Sequence, residues 1–240
     1  MNSLKKTVIK LYHPVYDLFA PDPDFNVPGF KEKHGLRKHV FLFFGFIRKY
    51  KGLHNAIRAF AKVAESRRDV SFLICGESFW NTLSQDKWST KIKNILFGIA
   101  KRIFLRQKDN EREYQPLELI RELGLEESIM VVNEFVPNED VHKYFQVSDA
   151  VVLFYEYATP SGIESLSYNF KKPLLATRVG HFPETINDGY NGYLAEAEDI
   201  DSMAEQMFKF LDHPLEPENV ARKTEQMSWG NYAKAITRSN

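Results

Sequence analysis

From residue 39 onward the chain repeats one pattern, a short apolar run followed by a stretch with apolar residues at helical spacing. The runs Val40 to Phe44, Val70 to Cys75, Ile129 to Val132, Ala150 to Phe154, Pro173 to Ala176 and Gly192 to Ala195 each read as a strand buried on both faces. Between them, Leu53 to Ala64 sets Ile57, Phe60, Ala61 and Ala64 on one helical face. Glu139 to Val147 follows Asn138 as a cap, and Ile163 to Asn169, a short helix near Pro183 and Ile200 to Leu211 complete the series. Strands separated by helices run parallel and need cover on both faces. The expected fold class is therefore α/β, a Rossmann-like doubly wound parallel sheet. Ligands of such sheets collect at the carboxyl ends of the strands.

Three pieces lie outside that rhythm. Residues 1–38 carry Pro14, Pro21, Pro23 and Pro28 among aromatic residues and read as a connector rather than a packed unit, because proline removes donors that a helix or inner strand needs. Residues 39–212 form the domain, and 213–240 a helical tail. An insertion at 78–114 interrupts the domain. Within it Trp88, Ile92, Ile95, Leu96, Ile99 and Ile103 share one helical face, while Lys87, Lys91, Lys93, Lys101, Arg102, Arg106 and Lys108 supply the other. A basic amphipathic helix over 86–108 either lies in an anionic membrane surface or packs its apolar stripe on the protein; amphipathicity alone does not separate the two.

Charge and cysteine content exclude other classes. The 32 Lys+Arg balance 32 Asp+Glu, so no overall field draws the chain to nucleic acid. A lone Cys75 rules out a disulfide framework and a cysteine-rich zinc site, which fits a reducing cytoplasm. No apolar run approaches the ~18 residues of a membrane span, so the expected location is cytoplasmic, membrane-peripheral if the insertion binds lipid. The histidines show no metal spacing. Asp22-Pro23-Asp24 and Asp199-Ile200-Asp201 match a metal-binding Asp-x-Asp formally, the first among prolines and the second at a helix start, and both read as chance. Neither G-x-G-x-x-G nor a phosphate loop follows a strand, which argues against a dehydrogenase.

Two loops at the expected ligand edge carry chemistry. In FFGFIRKYKGL, Gly45 ends the first strand where a ligand can approach the backbone, and Arg48 and Lys51 follow. Two cations there can hold a diphosphate and stabilise its charge as a leaving group, although a solvated basic loop has the same composition. In FYEYATPSGIESL, Glu156 stands at a strand's carboxyl end and Glu164 in a helix's first turn. Helix N–H groups suit phosphate oxygens and carboxylates suit sugar hydroxyls. A glutamate in a first turn also serves the helix dipole alone.

Together the loops, with seven residues between Glu156 and Glu164 and with KPLLATRVGHFPETINDGYNGYL after them, resemble the C-terminal, donor-binding half of a GT-B glycosyltransferase of the retaining family 4 (group 1) type. The resemblance covers nearly everything from residue 39. It implies a hexosyltransferase of polysaccharide biosynthesis, which moves a hexose from a nucleoside diphosphate sugar to a glycan or lipid-linked acceptor without a metal or other cofactor. Glu164 would bind the ribose hydroxyls, Glu156 the hexose hydroxyls, and Lys51 the diphosphate. Phe135 and Val136 would border the nucleobase, with Gly45 and Ile163 lining the donor site. Gly180 and Glu184, in the Gly-x-x-Pro-Glu turn, would shape the site.

Departures shift some roles. Phe46 stands where relatives carry arginine, so Arg48 becomes the second phosphate cation. Ala158 and Thr159 replace the usual Phe-Gly and Pro160 lacks an N–H, which moves the sugar contact toward Thr159, Ser161 and Gly162. Enzymes of this type also have a preceding acceptor domain that supplies a histidine near the reacting carbon. His13, in the connector, reads as a hydrogen-bonding residue rather than a substitute for it. The chain is thus expected to work with an acceptor-domain polypeptide. A noncatalytic nucleotide-sugar-binding or protein-interaction module is the alternative.

Overall fold

The structure is a computed structural model and describes residues 11, 13–78, 114–157 and 162–237. The apolar runs form β1 (His39–Phe44), β2 (Val70–Cys75), β3 (Ile129–Val132), β4 (Ala150–Leu153), β5 (Leu174–Thr177) and β6 (Gly192–Ala195). They make one sheet in the order β3-β2-β1-β4-β5-β6, with every pair parallel. Strand order reverses between β1 and β4, registered through Phe41 opposite Ala150 and Leu42 opposite Val151. Their carboxyl ends therefore diverge to opposite connections and leave a crevice.

Successive strand residues feed opposite cores, as the pleat requires. Phe41, Phe43, Phe72 and Ile74 meet α2 (Leu53–Ser66) and α7 (Ile200–Asp212) on one face. Val40, Leu42, Leu73 and Val151 meet α4 (Val141–Val147), α5 (Gly162–Asn169) and α6 (Phe182–Thr185) on the other. Helix α2 buries Leu53, Ala56, Ile57, Phe60, Val63 and Ala64, a helical period. Each fully buried large side chain contributes roughly 1.5–3 kcal/mol. Asp199 caps α7 by accepting from the Ser202 amide at 2.9 Å, and Asp201 pairs with Lys62 at 2.5 Å. Asp22 accepts from the Asp24 amide at 2.9 Å. Three of the four formal Asp-x-Asp carboxylates, those of Asp22, Asp199 and Asp201, thus have structural partners.

The segment before β1 differs from expectation. Val15 is buried and its amide donates to the Met227 carbonyl at 2.9 Å, while Tyr16, Phe19, Phe25 and Phe30 pack on the second core. A helix, α1 (Val27–Lys33), follows Asn26, whose side chain accepts from Gly29. Pro28 lies in its first turn, where no amide donor is required. Residues 13–38 are therefore packed on the domain. Two further assignments change. Helix α4 starts after a 3-10 turn at Asn138–Asp140 and has no side-chain cap, so Asn138 does not begin it as expected. A short α3 (Glu118–Glu122) has no counterpart in the sequence reading, and Tyr114, assigned to the insertion, bonds His54 of α2. The basic helix expected at 86–108 lies outside the described residues. The tail forms α8 (Pro217–Gln226), which buries Val220, and α9 (Trp229–Thr237), which buries none of its residues. Among the described residues no helix is long and apolar enough to cross a membrane.

Candidate functional site

Two backbone features bring the predicted loops together. Gly52 has φ +64°, and a β-carbon there would stand 1.9 Å from the Phe154 carbonyl oxygen. Only a residue without a side chain lets the turn at Lys49–Lys51 lie directly on the end of β4. The Glu156 amide then donates to the Tyr50 carbonyl at 2.8 Å. The loop of cations and the loop of carboxylates are thereby fixed to each other at the reversal of strand order.

Lys51 is 8% exposed, folded back so that a β-carbon on Gly45 would meet its Nζ at 3.1 Å and Ile163 Cδ1 at 3.3 Å. Burial, then the nearby Arg48 charge, lower its pKa to about 8. A desolvated ammonium beside a second cation is an arrangement that favours an anion. Arg48 is half-buried next to it.

Lys51, but not Arg48, lines a cleft of about 270 Å³, together with Gly45, Phe46, Glu77, Glu134, Phe135, Val136, Ile163 and Leu166. Phe135 stands 66% exposed at the rim and Val136 is buried. Five expected site residues, Gly45, Lys51, Phe135, Val136 and Ile163, thus share one cavity. A broader open hollow of about 430 Å³, between Lys62 and α7, contains none of them.

The two glutamates are held differently. Glu164, in the first turn of α5 between the cleft-lining Ile163 and Leu166, is 3% exposed. Its Oε2 lies 2.5 Å from His181 Nε2, while its Oε1 is buried without a hydrogen-bond partner among the described residues. Glu156 Oε1 lies 3.4 Å from His54 Nε2. That distance suits an ion pair, yet burial, with Arg58 and Lys49 nearby, lowers the His54 pKa to about 4. The imidazole facing Glu156 is neutral at pH 7, its Nδ1 3.0 Å from the Tyr114 hydroxyl. Glu156 and Glu164 therefore flank the switch point on separate supports.

Gly162 is covered by Tyr16, whose ring a β-carbon there would meet at 2.8 Å. Thr159 and Ser161 lie outside the described residues. His13 is seated against α5, its carbonyl accepting from Ser165 Oγ at 3.2 Å. Among the described residues no three His, Cys, Asp or Glu side chains cluster as a metal site. Sequence reasoning overlooked His181, Glu77 and Glu134. For His181 the one available signal was its place in a turn leading into a helix at the sheet edge.

The family model described as "Glycosyl transferases group 1" matches residues 28–227. Among solved structures, HepE of Anabaena in complex with UDP superposes with TM-score 0.68 at 16% identity, over 95% of this chain and 55% of that one. Sucrose-phosphate synthase of Thermosynechococcus elongatus gives 0.66 at 16%, over 95% and 50%. The C-terminal domain of a glycosyl transferase group 1 family protein (LpcC) of Francisella tularensis gives 0.60 at 17%, over 93% and 96%. This chain spans about half the length of the first two and nearly all of the third. At these identities the likeness shows the fold. No curated protein sequence matches.

Proposed function

The chain belongs to the group 1 glycosyl transferases, and on that premise we propose that it is the donor-binding domain of a retaining, family 4 type hexosyltransferase. The donor is a nucleoside diphosphate sugar, and the acceptor a glycan or lipid-linked sugar held by a separate acceptor domain. The observation that carries this reading is Glu164, whose Oε2 is engaged by His181 and whose buried Oε1 has no donor among the described residues. An unpartnered buried carboxylate oxygen costs roughly 1–3 kcal/mol, a cost that a ribose hydroxyl would remove.

The remaining groups are given roles by chemistry and position. Breaking the bond between hexose C1 and the diphosphate leaves negative charge on the phosphate oxygens. Lys51, desolvated beside Gly45, and Arg48 next to it stabilise that charge without a metal. Glu156 takes hexose hydroxyls at the end of β4, with Thr159, Ser161 and Gly162 completing the sugar contact. Phe135 and Val136 border the base in the cleft. Because HepE was solved with UDP, uridine diphosphate is the first nucleotide to try.

Calorimetric titration with UDP, GDP and ADP tests the reading. One of them is expected to bind, and Glu164→Gln to weaken it about tenfold or more, as loss of a charge-assisted bond predicts. Absence of binding by all three at millimolar concentration overturns it.

A further inference from the structure

We propose that His181 is a positioning residue for donor recognition: it holds Glu164 through Oε2 so that Oε1 is presented to a ribose hydroxyl. The inference rests on the donor-binding reading and deepens it at the same site. The 2.5 Å contact from His181 Nε2 ties down one end of a carboxylate whose other end is buried and unpartnered among the described residues. A glutamate has three rotatable bonds, so without such a tether its carboxylate would turn to find a donor elsewhere. Lys223 on α8 is the obvious alternative, since the Glu164 charge acts on it. Among the described residues, however, the ion pair that Glu164 makes is to His181, and Lys223 makes none with it.

The turn that carries His181 is itself braced. Phe182, next in sequence, is fully buried with its ring centroid 5.6 Å from that of Tyr155. At the far end of α6 the Thr185 carbonyl accepts from Asn191 Nδ2 at 3.1 Å. The same Nδ2 donates to the Tyr168 hydroxyl at 2.8 Å, and Tyr168 is on α5, four residues past Glu164. Asn191 Oδ1 accepts from the Asn187 amide at 2.7 Å, and Asn191 is fully buried. One buried amide therefore fixes α6 to α5, and with them the spacing of His181 from Glu164. The run from Gly180 to Gly192 thereby acquires a concrete role, to bracket the glutamate that reads the ribose.

The test compares whichever nucleoside diphosphate binds the wild-type chain with its 2′,3′-dideoxy form, which keeps the base and diphosphate but has no ribose hydroxyls. His181→Ala is expected to weaken the ribonucleotide about tenfold and leave the dideoxy form within about twofold. His181→Gln, which can still donate an N–H to Glu164, is expected to recover most of the loss, and the shorter His181→Asn not to. The Gln and Asn pair decides the matter if the alanine variant does not fold. Equal loss for the two ligands, no loss for either, or Gln behaving like Asn overturns the proposal and leaves the donor-binding reading intact. Failure of the wild-type chain to bind any nucleoside diphosphate overturns both.

Discussion

Lys51 shows how one residue's electrostatics reports on the ligand it awaits. Its pKa in the folded chain, about 8, lies below the ordinary 10.5 because burial penalises the cation and Arg48 repels it. Below pH 8 both folded and unfolded chains carry the proton, and the fold bears the full penalty of about 3 kcal/mol. As pH rises from 8 to 10.5 that penalty is relieved, so this residue makes the empty domain more stable toward alkaline pH. A bound diphosphate reverses the effect by restoring the cation's preference for its proton. At pH 8.5 nucleoside diphosphate binding should therefore take up roughly half to one proton, seen as a dependence of calorimetric enthalpy on buffer ionisation. Lys51→Met should abolish the uptake and weaken binding. An enthalpy that is independent of buffer in the wild-type chain would contradict this account. The cation itself was legible from its loop. Its burial was not, because Lys51 folds back over Gly45 at a point where Ile163, more than a hundred residues on, also packs.

At the scale of elements, the strands were the legible part and the joints were not. Val70–Cys75, Ile129–Val132 and Gly192–Ala195 match the expected boundaries, because a strand covered on both faces is a plain apolar run. Pro28 hides α1, since a proline that breaks a helix interior is tolerated in its first turn. Asn138 looks like a cap, but the 3-10 turn at Asn138–Asp140 displaces the start of α4. His181 leaves no periodic signal at all, because its partner Glu164 is 17 residues away and the contact depends on how α5 and α6 pack. Gly52 is the joint with the sharpest consequence. Gly52→Ala would press a methyl onto the Phe154 carbonyl at φ +64°, and a backbone atom cannot swing aside. Denaturant unfolding should show a loss of more than about 3 kcal/mol and, where the variant folds, weakened nucleotide binding. Gly35→Ala has a similar φ, +63°, but nothing within 4 Å of the added carbon. It should cost only about 1–2 kcal/mol. Similar losses at both sites would mean that the clash with β4 is not what Gly52 relieves.

For the whole molecule, the question is what the leading segment does. If it were a connector, a chain beginning at residue 27 would keep the stability and binding of the full one. Its contacts argue otherwise. Val15 is buried and bonded to Met227, joining the start of the described chain to the end of α8. The backbone of Asp22 exchanges two hydrogen bonds with the Gln146 side chain, both 2.9 Å. Asn169, at the end of α5, donates to the Phe19 carbonyl. Tyr16 covers Gly162 at the start of that helix, and Phe19 forms part of the wall of the cleft. The segment therefore clasps both ends of α5, the helix that carries Glu164. Removing residues 1–26 would expose Val15's pocket and the faces under three aromatic rings, and would take from Gln146 its two bonds to Asp22, a loss of roughly 4–6 kcal/mol. For a domain of this size that corresponds to a fall in Tm of about 10–20 °C. Because α5 loses its clasp, nucleoside diphosphate affinity should fall as well, even at temperatures where the shortened chain remains folded. Thermal unfolding of the two chains with and without saturating nucleotide measures both effects together. A shift below about 2 °C with unchanged binding would restore the connector reading, whereas losses in both would make residues 13–26 part of the donor site's scaffold.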